Sequence, residues 1–148
     1  MPTNKTIPTP ASKNVIISSH NPQNIAKRVP FAVVEAYKTI RTNLLFLLAQ
    51  NKGKVIALSS SDAGEGKSTT SINLAVSFAQ LNKKVLLIDA DPQANTSSGL
   101  GIEIQHLDNT VYECLINGID PTTAILPTST DNLFLIPSHI DLVGAEIE

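Results

Sequence analysis

Apolar residues fall along this chain in rhythms that change several times, and each change marks an element. Residues 1–28 have no such rhythm: Thr, Ser, Asn and Pro dominate, and no apolar run is long enough for a signal peptide. A stretch of that composition buries too little surface to offset its ordering entropy, so it reads as a disordered tail ahead of one domain at 29–148. Val33, Tyr37, Ile40, Leu44 and Leu47 then recur at three- and four-residue intervals, which predicts a helix over 32–50 with one apolar face. That face serves equally as packing against the domain's own sheet or as a contact with another copy. Lys-Val-Ile-Ala-Leu-Ser at 54–59 reads as a short buried strand. Ile72, Ala75, Val76 and Ala79 place a helix over 68–81, and Val-Leu-Leu-Ile at 85–88 reads as a second strand running into Asp89 and Asp91. Residues 92–118 suggest a loop and a helix around 111–116. Asp120 and Pro121 read as a helix start with proline at its first position, Asp131 and Asn132 as a turn, 133–136 as a strand and 140–147 as a helix.

The first strand and the helix after it are joined by Ser-Asp-Ala-Gly-Glu-Gly-Lys-Ser-Thr-Thr at 61–70, the setting a phosphate-binding loop requires. Gly64 and Gly66 let the backbone turn its N–H groups inward, and the helix start adds the positive end of its dipole. Phosphate contacts are expected from Asp62, Ala63, Gly64, Glu65, Gly66, Lys67, Ser68 and Thr69. Lys67 reaches the β- and γ-phosphates and the Ser68 hydroxyl faces Mg²⁺. The general pattern has glycine where Ser61 stands, and serine fills that place only if the turn there needs no positive φ. Alone, Gly-Lys-Ser after a strand is also compatible with an ordinary connection. The acidic strand end shifts the balance, because a parallel neighbour of the first strand delivers Asp89 and Asp91 beside the loop. The expectation is an α/β, three-layer P-loop NTPase fold with a mainly parallel sheet, binding ATP and Mg²⁺.

Residues 30–148 resemble the deviant Walker A ATPases of the ParA/MinD superfamily, to which bacterial tyrosine kinases also belong. The resemblance points to two branches. Glu-Ala-Tyr-Lys-Thr-Ile-Arg-Thr-Asn at 35–43 and the loop at 61–70 are similar to the cytoplasmic tyrosine kinases of capsule and exopolysaccharide synthesis. That branch implies transfer of the ATP γ-phosphate to tyrosine, with Lys67 holding the phosphates, Ser68 and Asp89 organising Mg²⁺, and Asp91 assisting the attacking hydroxyl. It also implies self-association through residues 35–41 and a membrane adaptor protein of polysaccharide export as partner. Pro-Gln-Ala-Asn-Thr-Ser-Ser-Gly-Leu-Gly at 92–101 and the closing residues 137–148 look instead like a ParA/Soj chromosome-partitioning ATPase, in which Asp91 positions a water.

Each branch is met by departures. Partition-type loops carry a signature lysine where this chain has Asp62, and a carboxylate there repels a triphosphate by about 1 kcal/mol or more at a few ångströms. The kinases have arginine at the place of Lys38, a basic stretch after the second aspartate and a tyrosine-rich tail; here Tyr37 and Tyr112 are the only tyrosines. Both families run longer and carry a Walker B strand beside the loop's strand, which predicts an N-terminal piece of an ATPase with an unpaired edge at 55–60. The loop and the upstream helix make the kinase the leading expectation, with the partition ATPase as alternative and an inactive nucleotide-binding fragment as a third reading.

Composition alters this picture little. A net charge of −2 argues against strong DNA binding by this segment. Leu-Leu-Phe-Leu-Leu at 44–48 is far shorter than the roughly 20 residues that span a bilayer, so a cytoplasmic protein reaching membranes only through a partner is expected. Cys114 is alone and reads as packing rather than a nucleophile. His20, His106 and His139 lack ligand spacing, which predicts no zinc site. Glu146 and Glu148 read as solvated, although the partition resemblance puts Glu146 near a dimer surface.

Overall fold

The computed structural model describes residues 30–48, 54–62 and 64–145, apart from the side chains of His106 and Ala145. The expected tail, Ala63, Glu146 and Glu148 lie outside the described residues. The elements are α1 (Phe31–Leu47), α2 (Lys67–Ala79), β1 (Val85–Ile88), α3 (Asn95–Gly99), α4 (Val111–Ile116), β2 (Leu126–Pro127), β3 (Leu133–Ile136) and α5 (Leu142–Ala145), with short 3₁₀ turns at Ile104–His106 and Pro121–Ala124.

β3 is the centre of a three-stranded sheet of order β1-β3-β2. β1 runs parallel to it with Val85 opposite Leu133 and Ile88 opposite Ile136, while β2 is antiparallel. Side chains alternate across β3, as a strand requires. Leu133 and Leu135 point to one face, where they meet Ala75 and Ala79 of α2 together with Leu100 and Ile102. Ile136 points to the other and meets Val111 of α4, Ala124 and Leu142 of α5. Helices thus flank the sheet on both sides, as the expected three-layer α/β architecture demands.

Two sequence expectations are corrected. Residues 54–60 do not form a buried strand: among the described residues no strand pairs with them, and Val55 is 94% exposed. An apolar run becomes a strand only when a neighbour satisfies its backbone, and none stands beside this one. No strand edge is therefore formed at 55–60, and the parallel partner of β1 is β3, not the segment ahead of the loop. Among the described residues no strand pairs with the other edge of β1 either. The N–H groups of Val85 and Asp89 bond to Asn132 and Ile136, so Leu86 and Ile88 aim their backbone groups at the open edge, and both side chains are exposed.

The second correction concerns α1. Its principal neighbour is α2, not the sheet: Arg41 donates to the Ser77 carbonyl at 3.1 Å and the Tyr37 hydroxyl lies 3.5 Å from Thr70 Oγ1. The inward face is Val34, Tyr37, Arg41, Leu44 and Leu48, all partly covered. Val33, Ile40 and Leu47, assigned to that face by apolarity, are exposed. Arg41 stands in mid-face, where a count of apolar residues passes over it. No described helix is long and apolar enough to cross a membrane.

α4 shows why a six-residue helix holds. The Thr110 N–H and hydroxyl donate to Glu113 Oε2 at 2.7 and 2.6 Å, and the Thr110 hydroxyl accepts from the Tyr112 N–H at 3.2 Å. Burial by itself pushes the Glu113 carboxyl up, but the hydrogen bonds from Thr110 outweigh it and hold the group below its ordinary value of 4.5. A lowered carboxylate contributes stability above its unfolded pKa that is lost as pH falls through the folded value. Thr110→Ala is expected to cost about 1 kcal/mol, read by denaturant unfolding at pH 7. The gap to the unmodified chain should shrink as pH drops below 4.5.

Candidate functional site

The loop at 61–66 is shaped by its two glycines. Gly64 has φ +82° and Gly66 φ +91°, and a Cβ on either would meet nothing within 4 Å. Backbone conformation, not crowding, is what requires glycine at these positions. Ser61 is not among the residues with positive φ, so serine is tolerated where the general pattern has glycine. Gly66 is the N-cap of α2; no side chain caps this helix, and its first turn contains no acidic residue. The opening N–H groups of a 13-residue helix therefore keep their donor capacity at the positive end of its dipole.

Lys67 folds back over the loop. Its ammonium donates to Ser60 Oγ at 2.8 Å and to the Asp62 carbonyl at 2.9 Å, and the Ser60 hydroxyl also donates to that carbonyl at 3.1 Å. Asp62 thus enters through its backbone, while its side chain is exposed. The Asp62 N–H reaches Glu65 Oε2 at 3.4 Å. Ser68 is half-buried at the second position of α2, and Thr69 is exposed.

The acidic pair sits at the far end of β1. Asn82 at φ +56° and the bonds from Leu81 and Lys83 N–H to the Phe78 carbonyl turn the chain sharply after α2. β1 therefore returns antiparallel to α2, and its carboxyl end lies at the amino end of that helix, the side of the loop. Asp89 is 3% exposed. Its Oδ2 accepts from the Ser97 N–H at 2.9 Å and the Ser97 hydroxyl at 2.7 Å, and its Oδ1 from the Asp91 N–H at 3.3 Å. Ser97 Oγ in turn accepts from the Ser138 N–H at 3.3 Å. Asp91 is half-buried; Gln93 N–H reaches its Oδ1 at 3.0 Å and Asn95 Nδ2 its Oδ2 at 3.4 Å. Among the described residues no hydrogen bond joins Lys67 or Ser68 to either aspartate. Sequence reasoning placed the loop and both acids at one end, but missed Ser60, Ser97 and Ser138, because lone serines in polar stretches carry no periodic signal.

Other chemistry is sparse. Burial first, then the carboxylates of Glu113 and Asp120, push the Cys114 thiol up, which keeps it protonated within the α4–α5 cluster. His139 pairs with Asp141 at 3.1 Å. Among the described residues no three His, Cys, Asp or Glu side chains gather to hold a metal.

A glycine loop entering an uncapped helix, followed by a strand with acids at its carboxyl end, defines a P-loop nucleotide-binding fold. A family described as an AAA domain matches residues 53–148. The chain belongs to that family, within the ParA/MinD-type P-loop ATPases. It is 47% identical over 96 residues to the sporulation initiation inhibitor protein Soj of Bacillus subtilis, covering 65% of this chain and 38% of that protein. It is 43% identical over 96 residues to the chromosome partitioning protein ParA of Myxococcus xanthus, covering 65% and 34%. Among solved structures, a putative plasmid partition protein of Borrelia burgdorferi bound to AMPPNP superposes with a TM-score of 0.58 at 33% identity, over 66% of this chain and 43% of that one. Cobyrinic acid a,c-diamide synthase of Mycobacterium smegmatis with bound ADP and magnesium gives 0.57 at 31%, over 60% and 36%. The chain spans less than two-fifths of the length of these two curated relatives. They support the partition branch of the expectation rather than the tyrosine-kinase branch.

Gly66→Ala tests the loop. Because the obstacle is positive φ rather than space, the variant should lose about 1–2 kcal/mol in denaturant unfolding, or move the loop to a different φ. Gly118→Ala, at φ +63° and equally open, provides the comparison away from the site.

Proposed function

We propose that this chain is the nucleotide-binding part of a ParA/Soj-type partition ATPase that binds ATP with Mg²⁺. The observation that carries the reading is the amino end of α2: an uncapped helix start directly after a loop with two positive-φ glycines, with Lys67 as its first residue. Phosphate oxygens suit those N–H groups, and the Lys67 ammonium exchanges its two loop acceptors for phosphate. The Ser68 hydroxyl is the group that would face Mg²⁺, which when bound spreads the phosphate charge. Asp91, half-buried at the carboxyl end of β1, is the residue that would orient an attacking water. The relatives named Soj and ParA, and the neighbours holding AMPPNP or ADP and magnesium, support this choice.

One observation favours the tyrosine-kinase alternative. Partition-type loops resemble this one except for their signature lysine, and Asp62 occupies that place with an exposed carboxylate. If the partition-type architecture holds, Asp62→Lys should promote ATP-dependent dimers, measured by light scattering with a non-hydrolysable analogue. A nucleotide-independent monomer for both chains would favour phosphotransfer over a partition-type dimer cycle.

Lys67→Ala tests nucleotide binding directly. It removes a charge-assisted contact worth roughly 1.5–3 kcal/mol, or about ten- to a hundredfold in ATP·Mg²⁺ affinity. Titration calorimetry reads the change. An unaltered affinity would reduce the glycine loop to a structural turn.

A further inference from the structure

We propose that Ser60 is a positioning residue whose hydroxyl competes with phosphate for the Lys67 ammonium and so weakens nucleotide binding at the loop. The proposal rests on the nucleotide-binding reading above and concerns how tightly that site binds. Lys67 Nζ donates to Ser60 Oγ at 2.8 Å and to the Asp62 carbonyl at 2.9 Å, and the Ser60 hydroxyl donates to the same carbonyl at 3.1 Å. The three groups close a ring of hydrogen bonds that ties residue 60, ahead of the loop, to the first residue of α2. Among the described residues Ser60 is the only side chain bonded to Lys67.

An ammonium has three donors. The ring takes two of them and leaves one, so reaching oxygens of two phosphates requires at least one loop acceptor to let go. Ser60 is the acceptor released at least cost. Its hydroxyl keeps its own bond to the Asp62 carbonyl when the ammonium leaves, and it is half-buried, within reach of water. Both loop acceptors are neutral, whereas a phosphate oxygen is charged and attracts the ammonium more strongly. The exchange therefore favours phosphate, and the bond given up to Ser60 is subtracted from the affinity.

The neighbouring carboxylates do not share this part. The side chains of Asp62 and Glu65 are exposed, and Glu65 Oε2 is engaged by the Asp62 N–H at 3.4 Å rather than by Lys67. Ser60 also lies outside both apolar clusters. Removing its hydroxyl thus changes what Lys67 touches and leaves the packing of α2 in place.

The test is titration calorimetry with ATP·Mg²⁺ on the full chain and its variants, with thermal melts confirming folding. Ser60→Ala should tighten binding about two- to tenfold, the range that one net hydrogen bond commands. In the Lys67→Ala background the same change should have no effect, since two residues that act through one contact do not add. Ser60→Thr restores the hydroxyl and should abolish the gain. If Ser60→Ala does not fold, Ser60→Cys takes its place in both backgrounds, because sulfur is a weak acceptor. The proposal is overturned if removing the hydroxyl leaves affinity unchanged or lowers it, if the gain is the same with and without Lys67, or if Ser60→Thr tightens binding as Ser60→Ala does. An unmodified chain that binds no ATP·Mg²⁺, or binds it no better than Lys67→Ala does, brings down the nucleotide reading itself. Weaker binding by Lys67→Ala with no gain from Ser60→Ala sinks the competition alone.

Discussion

The packing of α2 against the sheet is the interaction on which the rest of the molecule depends. Ala75 and Ala79 lie on Leu133 and Leu135 of the central strand, with Val85 and Leu87 of β1 closing the same cluster. Fully burying each leucine is worth about 1.5–3 kcal/mol, and the two alanines let the helix approach closely. The same helix receives Arg41 from α1 on its outer side. A built Cβ at Gly99 of α3 would stand 2.7 Å from Ile72 Cδ1, so that helix too is pressed against it. Fixing α2 in this way fixes its amino end, and the candidate site is that amino end together with the acids that β1 returns to it.

Much of this was legible because it is periodic or punctuated. The 3.6-residue pattern through Ile72, Ala75, Val76 and Ala79 could only be α2, and all four belong to its core face. The apolar run at 85–88, the turn at Asn132 with φ +64° and the strand at 133–136 were bounded by turn residues. Asp120 caps the turn at Pro121–Ala124 through the Thr122 N–H at 2.9 Å, as its sequence announced. Pairing was the part that composition could not convey. Which strand lies beside which is decided by long-range packing, so the segment at 54–60 read as a strand by the same criteria that succeeded for β1. α3 escaped because Asn-Thr-Ser-Ser-Gly has no apolar periodicity and poor helix propensity; it is held by Asp89 and by burial of Thr96 and Ser97.

Two of the candidate residues take parts that their chemical types did not suggest. Asp62 holds Lys67 through its backbone carbonyl, while its carboxylate stays exposed. Its charge remains near the loop, exposed and screened by water. Asp89 is buried, its two carboxylate oxygens accepting from Ser97 and from the Asp91 N–H.

The phosphate loop is consequently held unequally from its two sides. Downstream it is continuous with α2, whose core contacts are extensive. Upstream it hangs from residues 54–60, which no described strand pairs, and the link across the loop is the Lys67–Ser60 hydrogen bond at 2.8 Å. A bond of a charged donor contributes on the order of 1.5–3 kcal/mol, comparable to one buried leucine. When phosphate takes the Lys67 ammonium, that link is lost and the anion itself must bridge the two sides of the loop.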